Sequence, residues 1–248
     1  MSTDHDSDYK LLFSHPEMMV ELLRDGIPGE WLADADFSTL ERVNASYVSK
    51  DQKQRHDDMV WRLRVNDRWV WIYILLEFQS RPDPWMALRM LVYAGLMLED
   101  LIRRGEVTDG RLPLLLPLVL YTGTSPWKVT TQVADLFPAS PPALSAFIPR
   151  MAHYVIQKSH SGRDSSGTVR TVIDALFQLE HGRTPEDILR VVQGLAALLR
   201  DPENDELRRT FTLWVKHLLC RKTEIIPTID ITLENDTMLT EVIDKWAQ

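Results

Sequence analysis

The stretch from Asp58 to Gln79 decides the fold: DMVWRLRV over 58–65, a turn at NDRW over 66–69, and VWIYILLEFQ over 70–79. In the first arm Met59, Trp61, Leu63 and Val65 fall on one side, and Asp58, Val60, Arg62 and Arg64 on the other. In the second, Val70, Ile72, Ile74, Leu76 and Phe78 alternate with Trp69, Trp71, Tyr73, Leu75, Glu77 and Gln79. A period of two sustained over this length predicts two β-strands. Asn66-Asp67 suits a two-residue turn, so the pair predicts an antiparallel hairpin. Val65 then faces Arg68, and Asp58 lies opposite Leu75 and diagonal to Glu77. A four-residue loop closed by Arg64 and Trp69 keeps that pairing. A three-residue loop flips one strand and separates the acids.

Upstream, KLLFSHPEMMVELLR (10–24) is helical in pattern, with Leu11, Leu12, Met18, Met19, Leu22 and Leu23 on one broad face. Ser14 or His15 before Pro16 predicts a fresh helix start, and GIPGEW ends that helix. WLADADFSTLERVNASYV (31–48) predicts a short helix and a connection, and SKDQKQRHDD (49–58) an exposed approach to the hairpin. Downstream, the prolines of SRPDPW break the strand. Residues 85–104 predict a long helix opened by Pro84 and stopped by Gly105. LPLLLPLVLYTG (112–123) predicts a buried strand made irregular, or an edge, by Pro117, and residues 151–157 a further strand. SHSGRDSSG (159–167) predicts a linker. Helical segments follow, one opened by Thr184-Pro185-Glu186. The expected architecture is α/β, with a core over 1–160 and a helical region over 161–248.

The 248 residues carry a net charge of −8, and the acidity is even: 17 basic and 21 acidic residues in 1–160, 11 and 15 in 161–248. Neither part has the basic excess of a static nucleic-acid binder. A metal-dependent nuclease is less constrained, because bound cations neutralise an acidic site. Cys220 is the only cysteine, which excludes an internal disulfide and a cysteine-cluster metal site. It fits a reducing compartment. The acidic opening MSTDHDSDYK is no signal peptide, and Leu112–Tyr121 is too short to span a bilayer. A soluble cytoplasmic protein with no membrane partner is expected.

The chemistry-bearing set is Asp58, Glu77 and Gln79. Diagonal neighbours across a hairpin stand roughly 7–8 Å apart, a spacing at which two carboxylates share one divalent cation. Mg²⁺ held this way activates a water and stabilises charge on a phosphate, as phosphodiester hydrolysis requires. The bland reading is two surface carboxylates at strand ends. Against it, Glu77 follows Ile74-Leu75-Leu76 in a strand too apolar for the surface, where an unpartnered carboxylate is costly. Arg64 opposite Trp69 and Arg62 opposite Trp71 suit either solvated cation–π stacking or contact with a phosphate backbone. His153, His160, His181 and His217 lack metal-ligand spacing.

Three stretches resemble one family: HDSDYKLLFSHPEMMVELLRDGIP, then DMVWRLRV with ILLEFQSRPDPWMALRMLVY, then LPLVLYTGTSPW. In this order, over about residues 5–127, they are similar to the Rpn group of recombination-promoting nucleases, also described as YhgA-like transposases. That group is a branch of the PD-(D/E)XK nuclease superfamily. The resemblance implies a restriction-endonuclease-like core, a central mixed sheet flanked by helices, and Mg²⁺-dependent DNA cleavage linked to recombination or mobile elements. Asp58 and Glu77 match the metal-binding motif acids. Gln79 stands where the superfamily usually has lysine, and glutamine is the usual form in this branch. A first-helix acid, Glu17 or Glu21, is a further candidate. His5 and Asp6 match the family's opening, and Arg89 and Tyr93 match family positions, read here equally as support for the site or as core or surface packing.

The expected function is therefore a DNA endonuclease, with DNA as partner and the helical region as a dimerisation or DNA-binding element compatible with a homodimer. The alternative is a catalytically silent member serving as a binding or scaffold subunit.

Overall fold

A computed structural model describes residues 3–43, 58–66, 68–77, 82–107, 109–123, 125–157, 168–182 and 184–223, without the side chains at 3–7, 58, 71–77, 185 and 220–223. In chain order the elements are α1 (Thr3–Leu12), α2 (Pro16–Gly26), β1 (Ala35–Val43), β2 (Asp58–Val65), β3 (Arg68–Glu77), α3 (Met86–Arg103), β4 (Leu114–Tyr121), β5 (Tyr154–Ile156), α4 (Val172–His181), α5 (Pro185–Leu198) and α6 (Asp205–Thr223). They form two compact units, Arg24–Gln157 and Met1–Leu23 with Lys158–Gln248. Residues 1–23, placed with the core on sequence grounds, group with the C-terminal helices. The expected linker at 159–167 lies outside the described residues.

The sheet unit is α/β. Its five strands run in the order β1-β2-β3-β4-β5. The first three are antiparallel to their neighbours, and β3–β4 and β4–β5 are parallel, so the sheet is mixed. The hairpin has the expected even register, from Val65 with Arg68 to Asp58 with Leu75. Asn66 sits at φ 49°, in the left-handed region that a tight hairpin turn demands. Its side-chain amide donates to the Asp34 carboxylate at 3.0 Å, and its backbone N–H to the Asp34 carbonyl at 3.3 Å.

Residues 35–43 correct the expected helix. A 3₁₀ turn at Glu30–Asp34 leads directly into strand β1. Phe37, Leu40 and Val43 fall three apart and imitate a helical stripe, yet only Leu40 is fully buried. An edge strand exposed over most of its length gives no clean alternation. Between Asp36 and Glu41 the register against β2 slips, with five steps on β1 against two from Arg64 to Arg62. The slack is taken up locally: Asp36 accepts from Ser38 N–H and Oγ, and Thr39 Oγ1 donates to the Asp36 carbonyl and accepts from Arg64 N–H. Such irregularity blunts an edge.

Pro117 leaves β4 regular and interior to the sheet order. The ladder to β5 starts at Leu118, one residue later, so the proline position has no strand partner on that side. Helix α3 spans nearly the expected range and stops at Gly105, φ 71°. Its Met86, Met90, Met97 and Leu101 form a core with Val60 of β2 and Val119 of β4. Flexible methionines suit packing on a twisted sheet.

In the helical unit, Tyr9 of α1 meets Trp214 of α6 edge to face, with ring centroids 6.0 Å apart, and stacks on Phe13. Thr184 Oγ1 accepts from Asp187 N–H and caps α5, with Pro185 in the first turn. The start of α2 comes from His15, whose carbonyl accepts Met19 N–H, while Ser14 Oγ bonds back to Leu11.

Replacing Asn66 by valine forces a β-branched residue into a left-handed conformation. The variant is expected to lose about 1–2 kcal/mol in urea unfolding, and Asn66→Gly distinctly less.

Candidate functional site

Strand β3 marks the change from antiparallel to parallel pairing in the sheet. Asp58 pairs with Leu75, and Glu77 is two residues further along the same strand. On the other side Leu75 pairs with Val119, and Glu77 with Tyr121. Positions 58, 75, 77, 119 and 121 therefore share one parity of the pleat. Val60 and Val119 have this parity and pack under α3. The backbone thus brings Asp58 and Glu77 to one end of the α3-covered surface. Their side chains, and all of Gln79, lie outside the description, as do the side chains of His5 and Asp6 on α1.

The helix after β3 is anchored by Asp83. Its carboxylate accepts from Trp85 N–H at 2.8 Å and pairs with Arg89 at 2.8 Å. Burial disfavours the Arg89 charge, but hydrogen bonds with Asp83 and Tyr93 outweigh it and raise the guanidinium pKa above its ordinary value. Arg89 and Tyr93 are thus joined one helical turn apart, in a cluster that fixes the start of α3.

Sequence reasoning passed over the residues beside Glu77 on β4. Tyr121 is 1% exposed, and its ring meets Trp127 edge to face at 5.3 Å. Trp127 in turn meets His153 at 6.2 Å. Gly123 makes room for this column: a Cβ there would lie 2.2 Å from Tyr121 Oη. The loop carrying Trp127 is fixed by its N–H to Gln157 Oε1 at 2.8 Å and its indole N–H to the Val129 carbonyl at 2.9 Å. The signal was present in the aromatic-glycine-aromatic spacing of 121, 123 and 127. Its meaning required knowing that β4 lies beside Glu77. His153 is 5% exposed, and neither ring nitrogen has a hydrogen-bond partner among the described residues. Burial lowers its pKa from the ordinary 6.5 to about 4, with the Thr131 backbone pulling weakly upward.

The first-helix acids differ. Glu21 Oε2 accepts from Val172 N–H at 2.7 Å and Ile173 N–H at 3.4 Å, which caps α4 in the helical unit. Glu17 is exposed in the first turn of α2. On the hairpin, Arg64 lies over Trp69 at 4.8 Å as expected. Arg62 also lies over Trp69, at 4.4 Å, while the side chain of its register partner Trp71 lies outside the described residues. Arg62 also pairs with Glu41 and with Glu106, so its charge is met within the fold. Among the described residues no group of three His, Cys, Asp or Glu is placed to hold a metal.

Residues 3–209 match the family described as "Putative transposase, YhgA-like". The chain belongs to this family. Among curated relatives, it is 28% identical over 131 residues to "Recombination-promoting nuclease RpnD" of Escherichia coli O157:H7, covering 52% of this chain and 50% of the relative. It is 29% identical over 137 residues to "Recombination-promoting nuclease RpnA" of E. coli K12, covering 55% and 46%. It is 28% identical over 137 residues to the K12 "Inactive recombination-promoting nuclease-like protein RpnE", covering 55% and 45%. The chain thus spans about half the length of these relatives. No solved structure matches it. No described helix is long and apolar enough to cross a membrane.

His153 gives this family member an acid-sensitive core. Unfolded, the ring takes a proton near pH 6.5; folded, it resists until about pH 4. Its share of stability is therefore complete above 6.5 and lost as pH falls between those values. In urea unfolding at a series of pH values, His153→Leu is expected to flatten this acid limb, relieving up to about 3 kcal/mol.

Proposed function

We propose that the chain is a Mg²⁺-dependent DNA endonuclease built on a restriction-endonuclease-like core. The even register of the hairpin carries this reading, because it sets Asp58 diagonal to Glu77 at the end of a strand interior to the sheet. Two carboxylates form a hard oxygen donor set that suits Mg²⁺. The ion, when bound, supplies Lewis acidity at the phosphate and lowers the pKa of a water. Asp58 and Glu77 would hold it. Gln79 acts through its amide, whose oxygen accepts from the attacking water and whose NH₂ donates to a phosphate oxygen. Glutamine brings no positive charge, so charge stabilisation at the phosphate falls to the metal. Tyr121 and the Asp83–Arg89–Tyr93 cluster support the two strand ends and the helix that frame these residues. The names of relatives described as recombination-promoting nucleases support a role in recombination.

A silent, binding-only member is the second reading. One relative matching over the same length bears the name inactive, so membership of the family does not by itself carry activity. Plasmid nicking separates the two readings. The wild type is expected to nick supercoiled DNA with Mg²⁺ and not with EDTA, and Asp58→Ala and Glu77→Ala to lose at least about 100-fold. Equal nicking by all three preparations would sink the assignment, and no nicking by a folded wild type would favour the silent reading.

A further inference from the structure

The loop between β4 and β5 departs from the acidity of the chain. Residues 110–163 hold five basic residues, Arg111, Lys128, Arg150, Lys158 and Arg163, against one acid, Asp135, in a chain of net charge −8. The Asp135 carboxylate accepts from Thr130 Oγ1 at 2.6 Å. The loop leaves β4 directly after Tyr121, the register partner of Glu77, and returns into β5, which pairs with Leu118, Val119 and Leu120. Both of its ends lie within three residues of Tyr121 along β4, at the end of the sheet that carries Asp58 and Glu77. Its neck is closed. Val133 N–H donates to the Met151 carbonyl and His153 N–H to the Thr131 carbonyl, both at 3.0 Å, around an antiparallel bridge between Gln132 and Ala152. Beyond the neck, residues 134–150 are mostly exposed and are ordered from within. Pro138, Pro141, Pro142 and Pro149 each fix φ. Leu144 N–H donates to the Pro141 carbonyl and Ser145 Oγ to the Pro142 carbonyl, both at 2.8 Å. The 3₁₀ turn Pro142–Phe147 sets Leu144 and Phe147 on one face, because three residues complete a turn. Phe147 is 80% exposed, Leu144 53% and Phe137 44%. Bulky apolar groups held out on a rigid support add nothing to the isolated fold and are preorganised for a ligand. Lys128 precedes this segment and Arg150 closes it. Both are exposed, and neither has an ion-pair partner among the described residues.

We propose that this loop is a DNA contact in which unpaired bases stack on Phe147, with Leu144 beside it, while Lys128 and Arg150 meet the phosphates. The identity of the ligand rests on the nuclease reading given above. A DNA strand offers an apolar face on every base and a negative charge on every phosphate. The loop offers the matching pair: an exposed aromatic ring with a leucine on the same turn, two cations, and no acid from Leu136 to Arg150. Stacking on an aromatic ring tolerates any base, so the contact needs no sequence code. A duplex hides the faces of its bases against one another. The loop therefore selects DNA whose bases are unpaired, as in single strands, gaps and frayed or mismatched sites. Its placement gives the contact a use. The neck is joined to the site through the rings of His153, Trp127 and Tyr121, the last of them beside Glu77. A strand held on the loop is held at the end of the sheet where Asp58 and Glu77 lie.

Fluorescence anisotropy with the full chain in EDTA, using labelled oligothymidylate and a labelled duplex, tests this apart from cleavage. The single strand is expected to bind at least about 10-fold more tightly than the duplex, and Phe147→Ala to weaken single-strand binding about 10-fold. Phe147→Trp is expected to retain it, and the urea midpoint to stay unchanged in both variants, because position 147 is exposed. Lys128→Gln combined with Arg150→Gln is expected to reduce the slope of log affinity against log salt by about 1.4. Asp58→Ala is expected to bind the single strand at least as well as the wild type. A wild type that binds in this way yet does not nick plasmid with Mg²⁺ upholds the loop's role and removes the nuclease reading. A wild type that nicks while Phe147→Ala binds unchanged, or one that does not bind the single strand, overturns the loop's role alone. An unaltered salt slope overturns the phosphate contacts. A lowered urea midpoint in Phe147→Ala overturns the proposal by showing that the chain itself covers the residue. So does Phe147-dependent binding to vesicles of phosphatidylglycerol and phosphatidylcholine with no binding to either DNA.

Discussion

A pleated hairpin admits two parities, and they differ by the full reversal of every side chain on one arm. In this protein the choice rests on the turn at Asn66. Its left-handed backbone closes a tight loop, and two hydrogen bonds donated to Asp34 hold it there. From that point the ladder runs unbroken to Asp58 and Leu75. The same parity fixes which residues meet α3. Val60 goes under the helix, while Met59, Trp61 and Leu63 go to the opposite side, and all four are buried. A shift of one would turn Met59, Trp61 and Leu63 toward α3 and carry Arg62, along with Val60, to the opposite buried side. Burying an unpaired guanidinium costs several kcal/mol, far more than the turn itself contributes, so core and turn enforce one register together.

The carboxyl end of β3 inherits its rigidity from both sides. Strand β2 holds it through the antiparallel ladder, and β4 through a parallel one reaching Glu77 and Tyr121. Behind Tyr121 the column to Trp127 and His153 is packed without slack, as Gly123 shows. A buried histidine kept neutral, with no partner for either nitrogen among the described residues, contributes shape near neutral pH. Its acid sensitivity is the consequence of that placement.

The charged residues of the hairpin tip have a different status. Arg62 lies between Glu41 and Glu106 and over Trp69. Exposed ion pairs of this kind contribute about 0–1 kcal/mol each. They do more to hold the edge strand and the segment after α3 in place than to stabilise the fold. In the helical unit, Tyr9 donates to Glu180, and His217 Nδ1 meets Asp8 at 2.8 Å. With Glu21 on α4, these contacts tie the opening of the chain to its last third.

Local pattern determined much of this protein by itself. The alternation in 58–79, the Asn66 turn, the span of α3 and the Thr184 cap are properties of short windows, where periodicity and backbone chemistry suffice. The candidate acids were legible for the same reason, since their relation depends only on the hairpin. Strand β1 was not, because an exposed edge with a register slip loses the period that marks a strand. Tertiary structure alone decided the rest. It alone put Glu21 on the end of a helix some 150 residues away, set Tyr121 beside Glu77, brought Arg62 as well as Arg64 over Trp69, and gathered residues 1–23 with the C-terminal helices. Each joins residues distant in sequence or chooses among several neighbours within reach. No short-range rule carries that information, because burial and partner choice are settled only when the whole chain has packed.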